Sequence, residues 1–391
     1  MSANRYVFVM NRFITLAFVG LIAVPSVGNT CTSLVYKDEN GAAYAGRTME
    51  LPMQLPYEIT YFPAGMKFDS YVSGHSELYF SAKHSFISVT VPDPVTKNLK
   101  VVEGVNDAGM SFSLLAFPGA DGPRDMIDKT TAVLAAIDLG AWTLSNFKNV
   151  EEVKNALNKQ PAFVTALLPM GLLKTPFHYT LHDASGHSVV IEYSRGKQNI
   201  FDNPIGVMTN GPEFQWHQTN LNNYTYMNNK DKSSLTINGV NLKQPDSGIA
   251  TVALPASNTS TGRFIRAVYY SHFAEKTNNS DSAILMLSHI MNNFDRPRGI
   301  TIDERFESGV ENVAAPSVTG DLLYISEYTS WTALSDLEQR KFYIRSVNSM
   351  NYINFDLNKL KEYKFKITAP LKIFSESSGD VTGKFRSVDI K

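Results

Sequence analysis

The chain has 391 residues, 36 basic against 37 acidic side chains and 43% hydrophobic content, enough to bury a large core as one elaborate domain or two ordinary ones. No basic block rises above that even balance, which argues against nucleic acid as a partner. A single cysteine, Cys31, excludes an intramolecular disulfide, and with no Cys cluster, paired-His zinc helix or Gly-rich phosphate loop neither a metal nor a cofactor is expected.

The N-terminal stretch carries Arg5 and Arg12 with no acidic residue, and the uncharged apolar run Phe13 to Val24 behind it is too short for a comfortable membrane span. Ser26 and Gly28 have the spacing of a signal peptidase site. Residues 1–30 are therefore expected to be a signal peptide plus a short propeptide, Asn29-Thr30. Their removal would leave 31–391 as a single domain in the periplasm or outside the cell, with no stable membrane anchor. A lipoprotein is the poorer reading, because bulky Thr30 stands directly before the cysteine.

Ser33 to Lys37, the turn Asp38-Glu39-Asn40-Gly41 and Ala42 to Arg47 read as a hairpin that Cys31 opens. Ile59 to Phe62, Phe86 to Val91 and Lys100 to Glu103 are further strands, and the turn Asn106 to Gly109 leads into Met110 to Phe117. Helical spacing predicts a helix over Thr130 to Thr143, and Asn149 caps a second over Asn149 to Leu157 with Glu151 and Glu152 in its first turn. Phe177 to His182 and Ser188 to Tyr193 form another hairpin around Asp183-Ala184-Ser185-Gly186. Asn220 to Ser234 and Ser257 to Gly262 read as loops, Arg263 to Ala274 and Ser282 to Asn292 as a helix pair, and Leu322 to Tyr328 and Lys341 to Arg345 as late strands. Sheet, helix pair, sheet, helix pair implies an α+β fold of two stacked antiparallel sheets covered by helices, an αββα sandwich.

A lone cysteine in an exported chain is a buried apolar filler, half of an intermolecular bridge, or a reactive thiol. Cleavage on the N-terminal side of Cys31 favours the third. It would place a thiol and a free α-amine on adjacent carbons, and since such amines titrate near about 7.7–8.0, the amine can serve as the thiol's base at neutral pH.

The pieces Cys31-Thr32 with Gly46-Arg47-Thr48-Met49-Glu50, Asn106-Asp107-Ala108-Gly109-Met110, and Phe177-His178-Tyr179 through Val190-Ile191-Glu192-Tyr193 resemble the choloylglycine hydrolase family of the N-terminal nucleophile (Ntn) hydrolases. So do Val207-Met208-Thr209-Asn210-Gly211-Pro212 with Asn220 to Tyr224, Gly262-Arg263-Phe264-Ile265-Arg266, and Tyr328-Thr329-Ser330-Trp331-Thr332. The resemblance covers nearly all of 31–391. It implies a four-layer fold with Cys31 as nucleophile, Arg47 and Arg263 as nearby positive charges, and Glu50 as the acidic partner where the family has Asp. It further implies the Asn210 side chain and the Ala116 backbone N–H as oxyanion donors; the family usually carries Asn or Tyr at the latter position.

Met49, Phe117, His178 and His217 are the candidate pocket residues. His178, His182, His187 and His217 lack the context a papain-like protease needs and read as surface or packed histidines. The activity implied is hydrolysis of a linear amide between a hydrophobic acyl group and a small polar amine, as in penicillin V acylases and N-acyl homoserine lactone acylases. Bile salt hydrolysis is the runner-up, and an inactive secreted binding protein the non-enzymatic alternative. The partner is a small acyl amide, and a homotetramer or other homo-oligomer fits the resemblance.

Overall fold

The structure, a computed structural model, describes residues 30–93, 98–123, 131–167, 173–174, 176–304, 324–375 and 379–387. Of the expected leader, residues 1–30, only Thr30 is among them. Cys31–Lys37 (β1) and Ala43–Leu51 (β2) pair in the expected hairpin, with Cys31 opposite Met49 and Lys37 opposite Ala43. Asp38 builds its turn, accepting from the N–H groups of Asn40 and Ala42 at 2.9 Å each.

The strands that follow are Glu58–Phe62 (β3), Phe86–Pro92 (β4), Leu99–Asn106 (β5), Ser111–Ala116 (β6), Phe177–His182 (β7), Ser188–Ser194 (β8), Lys197–Asp202 (β9) and Val207–Met208 (β10). Tyr328–Asp336 (β11), Lys341–Ser346 (β12), Ile353–Asp356 (β13), Ile367–Pro370 (β14) and Gly379–Asp380 (β15) complete the two main sheets. The first sheet is seven-stranded in the order β10-β1-β2-β11-β12-β13-β15, and the second eight-stranded in the order β9-β8-β7-β6-β5-β4-β3-β14. Neighbours are antiparallel except the β13–β15 pair.

Helices Leu139–Asn146 (α1) and Val150–Leu157 (α2) come before β7; Phe214–Asn220 (α3), Ser260–Phe273 (α4) and Ser280–Asn292 (α5) come after β10. α4 and α5 cover β1 and β2 from outside, and α1 covers β5 and β6, so the order of layers is helix, sheet, sheet, helix. Close approach on each side rests on a glycine: a Cβ at Gly46 would lie 2.8 Å from Met291 Sδ on α5, and one at Gly140 on α1 2.6 Å from Val101 Cγ1. One apolar cluster joins the first sheet to α4 and α5 and reaches the inner face of the second; the other lies between the second sheet and α1 and α2. Between the sheets, Ser33 Oγ of β1 meets Ser113 Oγ of β6 and His182 Nε2 of β7, each at 3.5 Å.

Four expectations need correction. Thr130 lies outside the described residues, and the helix expected from it begins only at Leu139, because Leu134 and Ala135 pair with Ala162 and Phe163 as a short parallel bridge before a 3-10 turn. Val133 to Leu144 is buried on every side, so its apolar residues mark no single face. α4 starts at Ser260 inside the expected loop, since Thr259 caps it by accepting from Gly262 N at 3.2 Å. The loop expected over Asn220 to Ser234 opens with a 3-10 turn, Leu221–Tyr224. Of the strand expected over Leu322 to Tyr328, the first residues lie outside the described set, Tyr324–Ile325 pairs only with Asp303–Glu304, and Tyr328 begins β11.

Candidate active site

Cys31 is the first residue of β1 and 2% exposed. β1 alternates: Cys31 and Ser33 face the second sheet, while Thr32 faces α4. The Cys31 backbone N–H donates to Asn210 Oδ1 at 2.6 Å, and its carbonyl accepts from Arg263 Nη1. The sulfur lies 3.5 Å from Arg47 Nη2 and 3.9 Å from Met49 Sδ. Met49 thus sits against the thiol because it is the cross-strand partner of Cys31.

Arg263, fully buried on α4, spends its whole fork on this corner: Nη1 also donates to Thr32 Oγ1 at 2.8 Å, Nη2 to Asn210 Oδ1 at 2.7 Å, and Nε to the Asn258 carbonyl at 3.0 Å. Burial pulls its pKa below the usual arginine value, against the nearby Glu50 and Cys31. Because Cys31 N and Arg263 Nη2 are both donors, Asn210 must turn its oxygen toward them. Its Nδ2 then donates to the Ala116 carbonyl at 2.8 Å, leaving a second hydrogen on that nitrogen for another acceptor.

Ala116 ends β6 on an edge that β5 has left, for the β5–β6 register ends at Glu103 opposite Ser113. Phe117 N donates to the Pro176 carbonyl beside β7, so alternation turns the N–H and C=O of Leu114 and Ala116 to the opposite edge. Arg47 Nη2 caps the Leu114 carbonyl at 2.6 Å and Asn210 caps that of Ala116. The Ala116 N–H lies between those two caps, on the strand edge that faces the nucleophile's neighbours.

Two buried glutamates flank the strand pair. Glu50 faces the helix side; Thr329 Oγ1 donates to its Oε1 at 3.1 Å, and its Oε2 is buried with no partner. Burial pushes its carboxyl up to about 7, against the opposing pull of Arg263, Thr48, Arg47 and Thr329. Its backbone N–H donates to the Thr30 carbonyl at 3.1 Å, which places Glu50 beside the Thr30–Cys31 peptide. Glu103 on β5 faces inward, its Oε2 3.9 Å from Arg47 Nε, within ion-pair range but too long for a hydrogen bond. Burial raises it to about 8 despite Arg47 and Ser113, so at neutral pH the acid is largely protonated and leaves the Arg47 charge free to act on the sulfur. Arg47 also lies 4.6 Å over the Trp331 ring. The β2–β11 register shifts at Met49/Glu50, pairing Met49 with Trp331 but Glu50 with Thr329, so Ser330 is the extra residue of a bulge.

The structure brings Cys31, Arg47, Met49, Glu50, Ala116, Asn210 and Arg263 together. It gives the two candidate pocket histidines a different place: His178 Nε2 meets the Thr209 carbonyl at 2.8 Å and His217 Nε2 the Asn210 carbonyl at 2.9 Å, both fully buried. They brace the Asn210 turn from behind. His178 stacks on Phe117 at 4.9 Å and His217 on Phe264 at 4.6 Å, and burial pulls His217 down to about 4, so it stays neutral near pH 7. Glu103 escapes the sequence reading, although a lone charge among Val101, Val102 and Val105 signals a buried one. A surface cavity of about 330 Å³ lined by Lys148, Asn149, Glu151, Asp183, Ala184, Ser185 and His187 lies far from this chemistry. It sits toward the Lys37 end of β1, where Lys37 abuts Gly186, roughly 20 Å of strand away from Cys31. Among the described residues no group of three or more His, Cys, Asp or Glu could hold a metal ion, and no helix is long and apolar enough to cross a membrane.

Two stacked antiparallel sheets under helices, with a cysteine opening a strand at their interface, make the four-layer Ntn-hydrolase fold. The family model for linear amide C–N hydrolases of the choloylglycine hydrolase family matches residues 31–364, and the chain belongs to that family. A bile salt hydrolase/transferase of Clostridium perfringens is 27% identical over 350 residues, 86% of this chain and 98% of its own. A penicillin V acylase of Pectobacterium atrosepticum is 25% identical over 364 residues, 88% of this chain and 85% of its own. Among solved structures, a single-substitution variant of the conjugated bile acid hydrolase from Clostridium perfringens superposes with a TM-score of 0.71 at 24% identity, covering 87% of this chain and 97% of that one. Penicillin V acylase from Agrobacterium tumefaciens gives 0.69 at 23%, covering 91% and 96%.

Proposed function

We propose that the chain, exported and cut before Cys31, hydrolyses an amide between a hydrophobic acyl group and a small polar amine, with penicillin V and N-acyl homoserine lactones as the type substrates. Cys31 Sγ attacks the acyl carbonyl while the α-amine takes the thiol proton and returns it to the leaving amine; water then hydrolyses the thioester. The carbonyl oxygen turns toward the free hydrogen of Asn210 Nδ2 and the Ala116 N–H. Glu50, whose Oε2 has no partner beside the Thr30–Cys31 peptide, holds the α-ammonium once Thr30 is gone. The observation that carries the reading is that one cysteine has its N–H, carbonyl and sulfur each held by a different side chain: Asn210, Arg263 and Arg47. Met49 and Phe117 supply apolar surface beside these groups, and each acyl methylene buried on such surface contributes about 0.8 kcal/mol.

Steady-state hydrolysis of a homologous N-acyl series, penicillins V and G, glycocholate and taurocholate tests it. kcat/KM should rise with acyl length and favour penicillin V over G, and Cys31→Ala should fold and turn over nothing. Bile salt hydrolysis is the second reading, favoured by the bile salt hydrolase relative that this chain matches over 98% of its length. Efficient cleavage of the two bile salts with a flat acyl series would establish it in place of the first. A homo-oligomer is proposed as well: the hairpin Ser234–Ile237/Val240–Lys243 pairs Leu235 with Leu242 and Ile237 with Val240, all four exposed.

A further inference from the structure

Outside the groups assigned to turnover, Arg296 and Glu327 form a buried ion pair, Nη1 to Oε2 at 2.8 Å, each residue 7% exposed. The pair closes on the residue before the nucleophile. Thr30 Oγ1 accepts from Arg296 Nη1 at 2.6 Å and donates to Glu327 Oε2 at 3.1 Å, using both capacities of a hydroxyl. Arg296 is itself fixed to β11, its N–H donating to Thr329 Oγ1 at 2.9 Å and its carbonyl accepting from Thr329 N at 3.0 Å. Thr329 Oγ1 continues to Glu50 Oε1 at 3.1 Å, and Glu50 N returns to the Thr30 carbonyl at 3.1 Å. Thr30 is therefore held at both its side chain and its carbonyl by one closed ring of bonds.

We propose that the Arg296–Glu327 pair is a clamp for the leader, which presents the Thr30–Cys31 peptide to the Cys31 thiol so that the chain cuts itself there. The clamp rests on the reading of Cys31 as the mature N-terminus, and it adds a requirement for the Thr30 hydroxyl. Sγ forms a C–S bond to the Thr30 carbonyl carbon as the C–N bond to Cys31 breaks, and the thiol proton ends on the released α-amine. One water then hydrolyses the thioester, leaving a carboxyl on the departing Asn29-Thr30 and a thiol on Cys31. The Glu50 N–H donates to the Thr30 oxygen on which charge develops. A structural ion pair would bind β11 equally well with any residue at position 30, whereas a clamp needs an oxygen there.

The test follows maturation of the full chain by intact mass and N-terminal sequencing. Thr30→Val removes both clamp bonds at constant shape, and once cut its product is chemically identical to the wild type. Maturation should slow about tenfold or more, in line with the cost of a misplaced reacting group, while kcat per mature chain stays unchanged. Thr30→Ser should mature at nearly the wild-type rate, and Glu327→Gln, which keeps an acceptor for the hydroxyl but loses the charge, should fall between. Cys31→Ala should keep Asn29-Thr30. Wild-type maturation of Thr30→Val, or trimming of Cys31→Ala to residue 31, would overturn the proposal. Normal maturation of the wild type with no amide hydrolysed would leave the clamp standing and sink the substrate reading instead.

Discussion

The two faces of the first sheet beside Cys31 are each built from a buried arginine and a buried glutamate, and they are finished differently. On the helix side Arg263 donates through all three of its nitrogens, holding the Cys31 carbonyl directly and the Cys31 N–H through Asn210 Oδ1. On the inter-sheet side Arg47 caps one carbonyl and touches the sulfur through Nη2, while Nε and Nη1 have no hydrogen-bond partner and Glu103 stands too far to supply one. The helix face is a frame around the Cys31 backbone, with Glu50 Oε2 left without a partner beside it. The inter-sheet face keeps polar capacity and positive charge next to the thiol, where a reacting amide must come. A buried polar group left without a partner costs about 1–3 kcal/mol, so that side is maintained against a stability cost, as reactive sites commonly are.

Removing the frame should have the largest effect. Arg263→Met takes the donor from the Cys31 carbonyl, Thr32 Oγ1 and the Asn258 carbonyl, leaves Asn210 Oδ1 with the Cys31 N–H alone, and removes the positive charge that acts most strongly on Glu50; unfolding by denaturant should show a loss of about 3–5 kcal/mol. Activity should vanish with it. Arg47→Met, which strands fewer acceptors, should cost less stability, and an equal loss for the two would erase the distinction between the faces. Asn210→Ala should come next, lowering kcat by about 10²–10³-fold with KM little changed, read by steady-state kinetics on whichever amide the wild type cleaves.

A smaller, pH-dependent effect separates the two glutamates. Both carboxyls are raised on folding, Glu50 to about 7 and Glu103 to about 8, so these two groups bind more protons in the folded chain from about pH 4.5 upward, while buried His182 and His217, pulled down from 6.5 to about 4, bind fewer until pH 6.5 is passed. The glutamates' contribution to stability is full below pH 4.5 and is lost as pH rises through 7 and 8. Up to about pH 6.5 the histidines offset this loss, so Tm should decline between about pH 6.5 and 8. Glu103→Gln should flatten the upper part of that decline and Glu50→Gln the lower; a Tm that rises over this window would contradict both burials. Smallest of all is Glu50→Asp, which restores the family's shorter acid and should hold or raise kcat, whereas Glu50→Ala should lose activity. A wild-type rate for Glu50→Ala would move the acidic role elsewhere.

How far the fold can be read in the sequence follows from which residues carry their own signal. β1 and β2 announce themselves through the Asp38–Gly41 turn, and α2 through Asn149, whose Oδ1 accepts from Glu152 N at 2.9 Å. β11, the partner of β2, does not read as a strand. All of its residues are buried, including Thr329, Ser330, Thr332, Ser335 and Asp336, so no alternation of apolar and polar residues marks its faces. At the candidate site, Cys31, Arg47, Glu50, Asn210 and Arg263 come from short motifs in order along the chain. Glu103, Arg296 and Glu327 belong to none of them; buried valines around it mark Glu103, but the burial of Arg296 and Glu327 is a property of the packed layers, which a lone charged letter does not display. His178 and His217 do lie near Asn210, but each packs against a backbone carbonyl, of Thr209 and Asn210; for His217, proximity in sequence does not fix which side of a turn a ring packs against.

The bulge at Ser330 changes the parity of β11. In a regular strand Thr329 and Trp331 would share a face and report to a single environment; here Trp331 lies under Arg47 and Thr329 reaches Glu50 on the opposite side. One inserted residue thus decouples two neighbouring positions, allowing the ring beneath the thiol's arginine and the hydroxyl that steadies the acid to change independently. A deletion at Ser330 would not merely shorten the strand. It would remove the bulge and its local kink, leaving Trp331 opposite Met49, Thr329 opposite Glu50 and Tyr328 opposite Leu51 in one regular ladder.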